Sequence, residues 1–128
     1  MAKVSKETAS EVMAVEGYEG RSEDLGGYTV AYETFSSDQD PAPLFQGLPD
    51  DHCQCPHWGT VITGELTYRY SDGTSETAKA GEAYYARPGH LPLFTAGTET
   101  IEFSPTDGLA ETVAVIVKNL EAMQADEA

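Results

Sequence analysis

The chain has 128 residues, with seven Lys and Arg against 22 Asp and Glu and a formal charge of −15. That length suits one domain with a single core that needs no staples. The acidity repels polyanions and excludes nucleic acid and anionic membrane as partners, while leaving a chelated cation, a neutral or cationic small molecule, or plain solubility as its use.

Residues 1–16 alternate polar and small side chains, with Val12, Met13 and Val15 as the larger apolar groups, and read as a loosely held arm or a short helix. No 18-residue apolar run is present, and the first six residues lead into polar ones, so a soluble, cytoplasmic protein is expected. Turn-forming glycines occupy 17–27. Residues 28–35 are β-branched and aromatic and read as a strand. A polar, proline-containing loop follows over 36–43, and Leu44 to Pro49 bring apolar groups back. Asp50-Asp51 reads as a solvated turn or cap.

From Trp58 to Tyr70 the pattern is two strands, or one long bent one, with Gly59 and Gly64 as bend points. Asp72-Gly73 is a hairpin signal that pairs 66–70 with 75–78. Further short strands are expected at 83–87, 91–95 and 100–104, each set off by turn residues. Strands at such spacing form an antiparallel sandwich or barrel. The period then changes: Leu109, Val113, Ile116, Val117, Leu120 and Met123 predict a helix over 108–123, packed on the outside of the barrel or on a second subunit, although 113–117 is β-branched enough for a strand. The organisation is a single domain over 1–128, with an arm at 1–16, a β-barrel at 28–104 and a C-terminal helix.

Both cysteines and two of the three histidines fall within Asp51-His52-Cys53-Gln54-Cys55-Pro56-His57. Thiolate and imidazole hold borderline-soft metals, so this density is a site signal. The Cys-x-Cys spacing closes too small a loop for a useful disulfide, and reduced thiols or metal thiolates are expected. On an extended strand Cys53, Cys55 and His57 share a face, spread over about 13 Å, with Pro56 and Gly59 permitting a bend. His52 points the other way.

The stretch from Gly47 to Ser104 resembles the cupin family, small β-barrels of the double-stranded β-helix or jelly-roll type that hold a metal or small ligand. Val61-Ile62-Thr63-Gly64-Glu65 resembles the end of its first motif and the run from Ala80 to His90 its second, separated by the Asp72-Gly73 hairpin. Counted back from Gly64, His57 takes the place of the family's glutamate, and its two histidines fall at Asp51 and Cys53 or at Asp50 and His52. Counted forward from Gly47, Cys53 and Cys55 take its two histidines. In the second motif the usual histidine is absent, Pro92 standing in its place, and His90 lies two residues earlier with the same face parity. The resemblance implies a mainly β fold, a divalent metal held by Cys53, Cys55, His57 and His90, and a homodimer.

Such a donor set suits tetrahedral zinc, with iron as second choice. Trp58, Tyr68 and Tyr85 are the aromatic residues expected to line a substrate pocket. A salt bridge is the expected role of Arg87. The chain then reads as a metal-dependent enzyme acting on a small organic molecule, or as a non-enzymatic binding module with a structural zinc. A third reading, thiol redox chemistry, requires depressed thiol pKa values.

Overall fold

The described residues, 1–127 of the computed structural model, form β1 (Glu11–Val15), β2 (Tyr18–Leu25), β3 (Tyr28–Phe35), β4 (His57–Thr63), β5 (Glu65–Tyr70), β6 (Ser75–Lys79), β7 (Ala83–Ala86), β8 (His90–Leu93), β9 (Thr98–Pro105) and α1 (Thr106–Glu127). Strands of one sheet lie in the order β1-β2-β3-β9-β4-β7 and those of the other in the order β6-β5-β8. Every pairing is antiparallel, and the two sheets make the cupin-like double-stranded β-helix with a C-terminal helix. The Asp72-Gly73 turn joins β5 to β6, with Leu66 opposite Ala78 as its hairpin chemistry requires.

Residues 11–25 depart from the arm and turns read from the sequence. They form the β1–β2 hairpin, Val15 opposite Tyr18, which extends the sheet beyond β3. The alternation of Val12, Met13 and Val15 with charged and small residues is a strand pattern diluted by polar neighbours. The segment before it is also held: the Tyr32 hydroxyl donates to the Val4 carbonyl at 3.0 Å.

Between β4 and β5 the chain turns at Gly64, whose φ is +77°. A Cβ there would sit 2.8 Å from Thr98 Cα, so both the backbone angle and the space demand glycine. One core cluster joins Phe35, Val61, Leu66, Tyr68, Tyr70 and Phe94. The other joins Phe45, Cys53, Cys55 and Leu91, with Leu109 and Ile116 of α1 against it. The helix is longer than the 108–123 of the sequence reading, and Leu109 and Ile116 of its stripe pack on the outside of its own barrel, while Val117 and Met123 are exposed. Asn119 Nδ2 ties it down by donating to the carbonyls of Leu44 and Gln46 at 2.8 and 2.9 Å.

The central strand β9 inverts the usual pattern. Thr98, Thr100, Glu102 and Ser104 are buried, whereas Phe103 is exposed on the outer face. The barrel interior is polar along this strand, and the site is built there.

Candidate metal centre

Cys53 is placed by its backbone. Its N–H donates to the His90 carbonyl at 2.9 Å, and its own carbonyl accepts from Gly89 at 2.8 Å, so the segment before β4 is stitched to the start of β8. Asp50 and Asp51, just upstream, both have left-handed φ values of 55° and 57°, and the Asp51 carboxylate accepts the Gly47 N–H at 3.0 Å. His57 opens β4 with its side chain inward. The donor atoms of Cys53, His57 and His90 lie within 4.8 Å of one another, and all three residues are buried. Cys53 Sγ is 3.7 Å from His57 Nε2.

Each donor has a partner behind it. His90 Nδ1 lies 2.6 Å from the Arg87 carbonyl and must be the protonated nitrogen, because a carbonyl only accepts. That tautomer leaves Nε2 as a lone pair. Among the described residues it is the one buried side-chain nitrogen or oxygen without a hydrogen-bond partner. His57 Nδ1 is 2.7 Å from Ser104 Oγ and 4.0 Å from Glu102 Oε2, the outer contacts that orient a ligating imidazole. Thr112 Oγ1 of α1 lies 3.3 Å from Cys53 Sγ.

Burial lowers His57 to about 4, and burial with the neighbouring His57 lowers His90 to about 3, so both rings are neutral and free to donate electron pairs. Burial pushes the Cys53 thiol up, partly offset by the Thr112 hydroxyl, and pushes Cys55 up to about 12. Raised thiols oppose the redox reading, which needs thiolate. An unpartnered imidazole nitrogen, a second neutral imidazole and a thiol that a cation would deprotonate together fit a divalent metal.

Behind this set lie two carboxyl groups. Glu102 Oε1 accepts the hydroxyls of Tyr68 at 2.5 Å and Tyr84 at 2.8 Å. Glu33 accepts from Tyr18 at 2.6 Å and Thr100 at 3.0 Å. Burial first, and the charge of Glu102 second, raise Glu33 to about 8, and burial raises Glu102 as well. Like charges this close do not both ionise, and the pair keeps a proton at neutral pH. Both carboxyl groups, with Cys53, His57 and His90, line a cavity of about 120 Å³ whose other walls include Phe35, Phe45, Phe94, Leu109 and Ile116.

The structure thus brings together three of the four donors read from the sequence and leaves out Cys55. Residues 53–56 are not extended strand, because β4 begins only after Pro56, and the shared face of 53, 55 and 57 does not form. Cys55 Sγ turns toward the carbonyls of Pro56 and Pro105 and lies beneath Gly108, where a Cβ would stand 3.4 Å from it.

Tyr68 does line the cavity, its ring centroid 4.8 Å from that of His90. Trp58 and Tyr85 do not. They follow inward-facing His57 and Tyr84, so strand alternation turns them outward, where they lie 5.2 Å apart and are 42% and 52% exposed. His52 lies outside the donor cluster, its Nδ1 2.6 Å from the Asp50 carbonyl. Arg87 pairs with Asp72 at 3.1 Å and lies over the Tyr70 ring. Sequence reasoning missed Glu33, Glu102, Ser104 and Thr112. The available signal was parity: Glu33 alternates with buried Phe35, and Glu102 with a run of Thr and Ser.

No protein-family model matches the chain, and no curated protein matches it. Solved structures do. A protein of unknown function from Rhizobium leguminosarum bv. viciae 3841 is 22% identical over 81% of this chain and 95% of its own, with a TM-score of 0.59. The Fe(II) form of HppE is 12% identical over 81% of this chain and 60% of its own, with a TM-score of 0.57. Ectoine synthase from P. lautus is 12% identical over 82% of this chain and 78% of its own, with a TM-score of 0.55.

The fold is a cupin-like barrel. At these identities the likeness is one of fold, and what the barrel does rests on its own side chains. No helix of the described residues is long and apolar enough to cross a membrane.

Proposed function

We propose that the barrel is a metal-dependent enzyme acting on a small organic molecule, with a divalent metal held by Cys53 Sγ, His57 Nε2 and His90 Nε2. The observation that carries this reading is the unpartnered Nε2 of buried His90, aimed with two other donors at a cavity. Three protein donors leave a position open, as in catalytic zinc sites, whereas a structural site closes with a fourth. Cys55, the fourth donor that the sequence supplies, turns away. One thiolate with two imidazoles favours zinc, and iron is the second choice, as in the Fe(II) form of HppE.

A bound metal supplies Lewis acidity at the cavity floor. The chain does the rest. Ser104 and Glu102 orient His57, the Arg87 carbonyl fixes the tautomer of His90, and Thr112 holds the Cys53 sulfur. Leu109 and Ile116 of α1 cover the cavity against water.

Homodimerisation fits the outer face of the larger sheet, where Trp58, Tyr85, Phe103 and Tyr28 are all exposed. Trp58 and Tyr85 stand next to each other across β4 and β7, and Phe103 follows across β9.

Elemental analysis of untagged protein tests the metal reading. About one zinc or iron per chain is expected, lost in Cys53→Ser, His57→Ala and His90→Ala. Metal-free wild-type protein that also resists reconstitution would sink it.

A further inference from the structure

Glu33 and Glu102 have no cation of the protein's own. Among the described residues the arginine ion pairs are Arg21 with Glu19, Arg69 with Asp40 and Arg87 with Asp72, all away from the barrel interior. Lys6 is spent on Thr34. Besides the hydrogen bond the two carboxyl groups share with each other, those that reach them come from the neutral hydroxyls of Tyr18, Thr100, Tyr68 and Tyr84. A carboxylate offers about four acceptor sites, so Glu33, once its proton is displaced, has capacity beyond the bonds from Tyr18 and Thr100.

Beside this pair stand three mutually touching rings. Tyr18 stacks on Phe94 at 5.5 Å and meets Phe35 edge-on at 5.4 Å, and Phe35 meets Phe94 at 4.9 Å. All three line the same cavity as Glu33 and Glu102. Carboxyl oxygens next to aromatic faces attract a positively charged group twice, by Coulombic attraction and by the ring quadrupole. A ligand is called for independently at the other end of the cavity, where His90 Nε2 is fully buried and unpartnered.

The cavity also has a neighbour on the side of the β1–β2 hairpin. A second cavity of about 400 Å³ runs between the β1–β2 hairpin and α1, and shares Met13, Tyr18, Glu33, Glu102, Leu109 and Val113 with the first. Exposed Glu11 is part of its lining, and the charge of −15 draws cations toward any such opening.

We infer that the molecule bound in this barrel is a small organic cation, a primary ammonium whose N–H groups are received at Glu33 and Glu102 beside the Tyr18, Phe35 and Phe94 rings. This rests on the metal reading only for what the far end of the ligand meets. An anionic ligand is disfavoured beside two carboxyl groups, and a neutral one makes no use of the ionisable Glu33, which is not among the groups that orient His57.

Calorimetric titration of the zinc-loaded full-length chain with n-butylammonium and 1-butanol, a pair matched in size, tests the inference. Butylammonium is expected to bind at least about tenfold more tightly than butanol. Glu33→Gln keeps the shape of the side chain and leaves it no proton to give up when a cation enters, so it cannot become a carboxylate. It should bring the two affinities within about twofold while zinc content stays at the wild-type level. Equal affinities in the wild type, no binding of either probe, or a preference that survives Glu33→Gln overturns the inference. If thermal unfolding shows that Glu33→Gln has not folded, Phe94→Leu replaces it. That variant should reduce the preference about threefold, and an unchanged preference then overturns the inference. Zinc content on the same samples separates the two conclusions. An ammonium preference in a chain that takes up no zinc refutes the metal reading alone, and zinc without the preference refutes the cation site alone.

Discussion

Replacing the two cysteines one at a time separates the geometry from the sequence pattern. Cys53 Sγ is within 4.8 Å of the donor nitrogens of both His57 and His90, whereas Cys55 Sγ faces the carbonyls of Pro56 and Pro105. Zinc held by four donors in small domains is worth about 10–16 kcal/mol, or roughly 3–4 kcal/mol per donor. Loss of one of three donors in Cys53→Ser should therefore weaken zinc binding by about a hundredfold or more, at about 1.4 kcal/mol per decade. Cys55→Ser should leave zinc affinity within about threefold, while exchange of the larger, less polar sulfur for a hydroxyl loosens the packing against Phe45 and Leu91 and lowers stability by about 1–2 kcal/mol. Competition against a chromophoric chelator reads the affinities, and denaturant unfolding of the metal-free proteins reads the stability. If Cys55→Ser loses zinc as severely as Cys53→Ser, the donor assignment is wrong.

Three further outcomes follow from the same geometry. Buried His57 and His90 bind protons more weakly folded than unfolded, so metal-free protein loses stability as pH falls below about 6.5, by up to about 1.4 kcal/mol per unit for each ring. The raised Glu33 acts oppositely, adding stability as pH falls from about 8 toward 4.5. Glu33→Gln should therefore be more stable than wild type above pH 8 and steeper in its loss below 6.5, and parallel pH profiles would refute the coupling. Gly64→Ala combines an unfavourable φ with a backbone overlap at Thr98. It should cost about 3 kcal/mol, or about 10 °C in Tm, and a shift under about 3 °C counts against the turn geometry. Trp58→Ser should keep wild-type metal content and weaken self-association in sedimentation equilibrium by about tenfold, an aromatic anchor being worth 1–2 kcal/mol or more. Metal loss in this variant would return Trp58 to the site.

The strands from β3 onward were legible because β-branched and aromatic runs alternate with glycine, proline and aspartate turns, and the histidine, cysteine and second-motif residues pointed to the right end of the barrel. What the sequence concealed has specific causes. Cys55 fell outside the donor set because β4 begins only after Pro56, at His57, and parity cannot be carried through a segment that is not extended. Trp58 and Tyr85 fall outside the cavity at the donor cluster, although Tyr85 lines another with Tyr68 and Tyr84, because each follows an inward-facing neighbour. Glu33 and Glu102 went unnoticed because a carboxylate in a strand is ordinarily read as solvent-facing. Only tertiary closure reveals that Ile101 and Phe103 occupy the outer side of β9.

That inversion bears on how the chain reaches its fold. A slip of one residue along β9 would carry Ile101 and Phe103 inward and expel Thr98, Thr100, Glu102 and Ser104, an arrangement with more apolar surface hidden from water. Hydrophobic burial therefore works against the native alignment, which must be imposed from outside the strand. Eight paired residues of β3 supply one constraint. Thr98 Oγ1, donating to the Glu65 carbonyl at 2.8 Å, supplies another, and Gly59 a third, since any Cβ there would press on the Ile101 carbonyl at 2.7 Å. These partners lie 33 to 77 residues away along the chain. Alignment of β9 thus depends on contacts distant along the chain, the kind that contribute slowly to folding, and a one-residue slip is the register the native contacts must exclude.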